Sequence, residues 1–160
     1  MKREAYNKNW PRKNLGELAN FLDRQYPQGI VLKDMAARTA TTVQNLSQMF
    51  VRDDMKLSRA EGIVRAYGCR LMLYFPEKAR LGLDYSPKVL RPFPNAGNLA
   101  GLARYIADSN ISINHMSQRI GRANSVLTTA FTRGDIFIST MYSILANLGI
   151  DVIWSFEKQP

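Results

Sequence analysis

Two stretches of the chain, residues 39–52 and 120–134, carry hydroxyl, amide and guanidinium side chains and no carboxylate. The first offers Thr41, Thr42, Gln44, Ser47 and Gln48; the second offers Arg122, Asn124, Ser125, Thr128 and Thr129. Such groups make directional hydrogen bonds to base edges. Arginine bonds guanine O6 and N7 as a pair, asparagine and glutamine bond adenine N6 and N7, and serine or threonine bonds either bases or phosphates. Val43 is suited to a thymine methyl. A solvated helix usually mixes Glu with Lys for ion pairs. A polar face without acids instead suits an anion, so these ten polar residues are the expected base-edge contacts.

The cations around them extend that chemistry. The chain has 160 residues and a net charge of +9, of which residues 1–14 contribute +4 and residues 76–98 contribute +2. Basic arms reach phosphates or a minor groove. The expected phosphate contacts are therefore Lys2, Arg3, Lys8, Arg12 and Lys13 on the N-terminal tail, with Arg38, Arg52, Arg119 and Arg133 beside the two polar stretches. Arg52 and Arg133 have an alternative in pairing with Asp54 and Asp135, and Arg38 and Arg119 in capping a helix C-terminus.

Other chemistries find little support. His115 is the only histidine and has no cysteine or nucleophile motif beside it, so neither a metal site nor a catalytic relay is expected. Enzymatic activity and cofactors are not expected. Cys69 has no partner for an internal disulfide, which suits a reducing cytoplasm; it reads as a small buried residue at a strand start. No run of about 18 apolar residues predicts a membrane span, and residues 1–14 lack the apolar stretch of a signal peptide.

The elements that hold these residues occur twice. Shifted by 81, residues 35–75 overlie residues 116–156 without a gap, with identities that include Met35/Met116, Arg38/Arg119, Leu46/Leu127, Phe50/Phe131, Asp54/Asp135, Ser58/Ser139 and Gly68/Gly149. Upstream a shift of 84 aligns Leu15, Leu18, Ala19, Phe21 and Leu22 with Leu99, Leu102, Ala103, Tyr105 and Ile106. The difference is a three-residue insertion near Tyr26, as a surface loop tolerates. Between the copies, residues 76–98 hold four prolines and two glycines, which predicts a strap rather than a long helix.

In the second copy, helical spacing predicts helices at Leu99 to Ile106, Ile113 to Ile120, and Ala123 to Phe131, the last with Val126, Leu127 and Ala130 inward. Gly121 makes the turn. Ser139 is the expected cap of a final helix, ended by Gly149. Alternation of Ile150, Val152, Trp154 and Phe156 predicts a strand, matched by residues 70–75 in the first copy. A lone strand needs a partner. The two strands pair within one chain, or between two chains as a homodimer.

Each copy resembles the Cro/repressor-type (XRE-like) helix-turn-helix family. The resemblance rests on residues 116–121, 122–131 and 133–135 with the later 144–149, and on Met35-Ala36 with the same spacing in the first copy. It implies a mainly α fold of two tandem lambda-repressor-like domains, each of four to five helices and a short C-terminal strand. The domains are then residues 15–75 and 99–160, flanked by the tail 1–14 and the linker 76–98. It further implies sequence-specific binding of double-stranded DNA, a role in transcription regulation in a bacterium or phage, and a cytoplasmic, nucleoid-associated location. If a twofold axis relates the copies, two half-sites about 10 base pairs apart are expected. Three departures matter, one of them a loop after the DNA-reading helix that is one residue longer than is usual in the family. Ala40 replaces the turn glycine, at a cost on the order of 1–2 kcal/mol if that residue is left-handed, so this turn is expected to differ. Leu32 and Ile113 replace a phosphate-binding glutamine and cannot donate. They keep open a second reading, a protein-interaction module such as an antirepressor, antitoxin or phage accessory factor.

Overall fold

Apolar residues at helical spacing build the first element. Leu18, Ala19, Phe21 and Leu22 are the buried face of α1 (Gly16–Gln25). The computed structural model of the chain describes residues 5–76, 90–93, 99, 102, 106 and 111–159. The described part is mainly helical with a small sheet, and no described helix is long and apolar enough to cross a membrane. The chain forms two compact units: Met1–Arg70 with Phe137–Ser139 and Lys158–Pro160, and Leu71–Ile136 with Thr140–Glu157.

In the first unit, α1 is followed by α2 (Leu32–Arg38), α3 (Val43–Arg52) and α4 (Leu57–Ala66). Leu32, Met35, Leu46, Phe50, Leu57, Ile63 and Val64 join α1 in one core. The start of α1 has no side-chain cap of its own. Its preceding amides are satisfied from α3 instead: the buried Asp53 carboxylate accepts from the N–H groups of Lys13 at 3.1 Å, Asn14 at 2.8 Å and Leu15 at 3.0 Å. Asp53 also ends α3 in the left-handed conformation, φ 55°. One residue thus terminates one helix with its backbone and anchors the entry to another with its carboxylate.

That clasp changes the reading of the N-terminus. Residues 5–14 pack within the first unit rather than trailing as a tail. Tyr6 packs edge-on to Phe50 and Trp10. Lys2 and Arg3 lie outside the described residues.

Residues 137–139 also belong to the first unit. The Ile138 N–H donates to the Met55 carbonyl at 2.9 Å, and Lys56 bridges Phe137. The Asp54 carboxylate accepts from the Ser139 N–H at 2.9 Å and from its hydroxyl at 2.6 Å. Ser139 was expected to cap the last helix; that helix instead starts at Ile138, and Asp54 accepts the amide that a cap would.

In the second unit, helical and buried Leu99, Leu102 and Ile106 precede α5 (Ile113–Arg119), α6 (Asn124–Arg133) and α7 (Ile138–Leu148, from Thr140 onward in this unit). Met116, Leu127, Ala130, Met141, Ile144, Leu145 and Leu148 are buried. The sheet has the order β2-β1-β3, formed by β1 (Cys69–Pro76), β2 (Leu90–Phe93) and β3 (Ile153–Lys158). The two strands predicted at residues 70–75 and 150–156 therefore lie side by side in one chain. The second starts later than expected, because Gly149 to Val152 form the exit from α7. Trp154 is buried and its indole donates to the Tyr142 hydroxyl at 2.9 Å. Buried Cys69 opens β1. The linker supplies β2, antiparallel to β1 with Leu73 opposite Phe93 and Tyr74 opposite Pro92. Proline is tolerated there because β2 is an edge strand.

Candidate nucleic-acid interface

The same backbone turn occurs once in each unit. In the first, α2 ends at Arg38 and α3 begins at Val43; in the second, α5 ends at Arg119 and α6 begins at Asn124. The Thr41 N–H donates to the Ala36 carbonyl at 3.2 Å, and the Arg122 N–H to the Ser117 carbonyl at 2.9 Å. These are equivalent positions at the spacing of 81. Three left-handed residues recur at that spacing as well: Ala40 and Gly121, Asp53 and Gly134, Gly68 and Gly149. Ala40 has φ 53° and Gly121 φ 69°. The expectation that the alanine turn differs is therefore corrected. The α2–α3 connection holds Ala40 left-handed despite its Cβ, which stores local strain of about 1–2 kcal/mol.

The third helices present most of the expected side chains. On the first unit Gln44 and Gln48 are exposed, Thr41 is half-buried, and the Thr42 hydroxyl caps α3 by accepting the Asn45 N–H at 3.1 Å. Ser47 is a correction: it is fully buried and its hydroxyl donates to the Gln44 carbonyl at 3.0 Å, so it faces no ligand. Val43 is half-buried. On the second unit Arg122, Asn124, Ser125, Thr128 and Thr129 are all exposed. Val126 is a second correction, being 44% exposed rather than inward. A residue one position before Leu127 lies about a quarter-turn from the buried line, and here that line is narrow. Asn45 is a further candidate that the sequence pattern does not single out. It is exposed on α3, and only its place in the acid-free stretch signals it.

The expected phosphate contacts separate into bound and free. Arg12 is tied to Asp23 at 2.6 Å and lies over the Tyr6 ring, so it is a structural cation. Asp23 holds its guanidinium further into the charged form. Lys8 and Lys13 are exposed. Arg38 pairs with Asp34 at 3.0 Å and lies 5.1 Å over the Tyr67 ring. Asp34 also accepts from the Tyr26 hydroxyl at 2.5 Å, and Tyr26 in turn bonds Tyr67. The Tyr26 bond, then the Arg38 bond, hold the Asp34 carboxyl below its ordinary range. Burial, then the bonds to Asp34 and Tyr67, push the Tyr26 phenol up.

Arg119, the equivalent of Arg38, is exposed with no such network, since His115 stands where Asp34 would. Arg52 is exposed and bonds only the Gln48 carbonyl, at 3.4 Å; Arg133 is exposed and unpaired among the described residues. The suggested pairs with Asp54 and Asp135 do not form: Asp54 serves Ser139, and Asp135 accepts the Ile136 N–H. No metal-binding cluster occurs among the described residues. No family model, curated protein or solved structure matches the chain.

Proposed function

We propose that the chain is a sequence-specific double-stranded DNA-binding protein of the Cro/repressor helix-turn-helix type, and a transcriptional regulator. The observation that carries this reading is the exposed, carboxylate-free surface of α3 and α6, each set directly behind the same left-handed turn. In it, α6 enters a major groove by its N-terminal end. Arg122 takes a guanine, Asn124 an adenine, and Val126 packs on a thymine methyl. Arg119 and Arg133 bind flanking phosphates. On the first unit, Gln44 and Gln48 read bases, while Arg52, Lys8 and Lys13 bind phosphates. Two copies with different side chains call for two half-sites that are not a perfect palindrome. A nucleoid-associated, cytoplasmic location follows from the same reading.

The test is selection from a random duplex pool, followed by titration of the full chain with the selected duplex over a salt series. The proposal expects a two-part site and an affinity that falls steeply as salt rises, with several counterions released. No enriched sequence, or binding indifferent to salt, would leave the interaction-module reading in its place.

A further inference from the structure

A cleft of about 450 Å³ opens beside the α2–α3 turn, walled by Arg38, Thr39, Arg59, Gly62, Ile63 and Arg65. Its size suits a mononucleotide-sized ligand. Three arginines are among its lining residues and no acidic residue is. Arg38 is held in place by Asp34 and the Tyr67 ring. Half-buried Arg59 and exposed Arg65 have no side-chain partner among the described residues. With Arg38 offset by Asp34, the charges of Arg59 and Arg65 leave a net positive concavity that attracts an anion. Guanidinium groups in particular match phosphate oxygens in paired hydrogen bonds. Half-buried Ala66 gives the wall a small apolar part.

The fold itself does not require this arrangement. At the spacing of 81, Thr140, Ser143 and Ala146 stand where Arg59, Gly62 and Arg65 do, and the second copy builds the same kind of helix without them. Gly62 adds a further sign. It sits inside α4, where glycine costs up to about 1 kcal/mol relative to alanine, and a Cβ there would meet nothing within 4 Å. Packing therefore does not explain the glycine, and the space beside it opens toward the cleft that it helps to line.

We propose that this cleft binds a small molecule bearing two or more phosphate groups. The proposal goes beyond DNA binding and does not depend on it. The DNA backbone offers similar oxygens, so the test separates the two sources.

Calorimetric titration of the full chain with inorganic pyrophosphate, and with adenosine 5′-diphosphate, is expected to give saturable one-to-one binding. Gly62→Glu places a carboxylate in open space on the cleft floor. It should weaken binding about tenfold or more, with a melting temperature no lower than that of the parent. Arg59→Ala should weaken binding similarly, and Arg122→Ala, which removes a proposed base contact, should leave it unchanged. A short unselected duplex should not displace pyrophosphate. Absence of saturable binding, survival of full affinity in Gly62→Glu, or displacement by the duplex would each overturn the proposal.

Discussion

The stretches 35–75 and 116–156 share one backbone turn and differ in what their side chains do around it. At three equivalent points the chain is left-handed, and the second copy uses glycine at all three. The first copy uses Ala40 and Asp53 at two of them, accepting strain at one and drawing a clasp from the other. The same contrast runs through the arginines. Arg38 is fixed by Asp34 and Tyr67, whereas Arg119 sits opposite no carboxylate. Ser47 is buried on α3, whereas its equivalent Thr128 is exposed on α6. The lesson is that the same turn recurs at the spacing of 81 while the side chains around it serve different ends. The first invests its polar groups in holding itself together; the second leaves them outward. Under the proposed function, the second copy is the stronger reader of bases.

The largest expected effect concerns the clasp. Asp53→Ala strips three backbone N–H groups of their charged acceptor and should destabilise the protein by about 3 kcal/mol, read as a shift in urea midpoint. Gly134→Ala at the equivalent point loses only conformational ease, about 1 kcal/mol. Equal losses at the two positions would break the comparison. Next comes reading: Arg122→Ala should cost about 2 kcal/mol of affinity for the selected duplex, about thirtyfold in Kd. Gln44→Ala should cost less, and the reverse ranking in competition titrations would assign the leading role to the first copy.

A smaller pair addresses the turns. Ala40→Gly should stabilise by about 0.5–1 kcal/mol by relieving the left-handed strain, less the entropy that glycine adds to the unfolded chain. Gly121→Ala should destabilise by a similar amount, and thermal melts of both test it. The smallest effect is a pH dependence. The Asp34 carboxyl is lowered on folding by its bonds to Tyr26 and then Arg38. Its contribution is therefore complete above the ordinary carboxylate range and is lost as pH falls through the lowered folded value. Asp34→Asn should flatten that acid limb of the stability profile. An unchanged limb would show that the network adds no pH-linked stability.

What the sequence reveals follows from the range of each interaction. The repeat, the helices and the position of the turn are local patterns, and Gly121 with its flanking apolar residues marks them openly. The Ala40 turn defies a propensity for one residue because the Thr41-to-Ala36 bond and the buried faces of α2 and α3 act together to hold it. Charge alone makes the N-terminal segment read as a basic arm. Its anchors are not visible: Tyr6 meets Phe50, and Leu15 meets Asp53, across about forty residues of sequence. Val126 and Ser47 each sit on the flank of a helix, where a small rotation decides between core and surface. The linker strand β2 is short and contains a proline, so it carries almost no periodic signal.

The central claim is that α3 and α6 together meet nucleic acid. Backbone amide shifts of the isotopically labelled full chain, followed during titration with its selected duplex, address it residue by residue. The account predicts perturbations concentrated in residues 41–52 and 119–133. Perturbations confined to other surfaces, or none at saturating duplex, would contradict it.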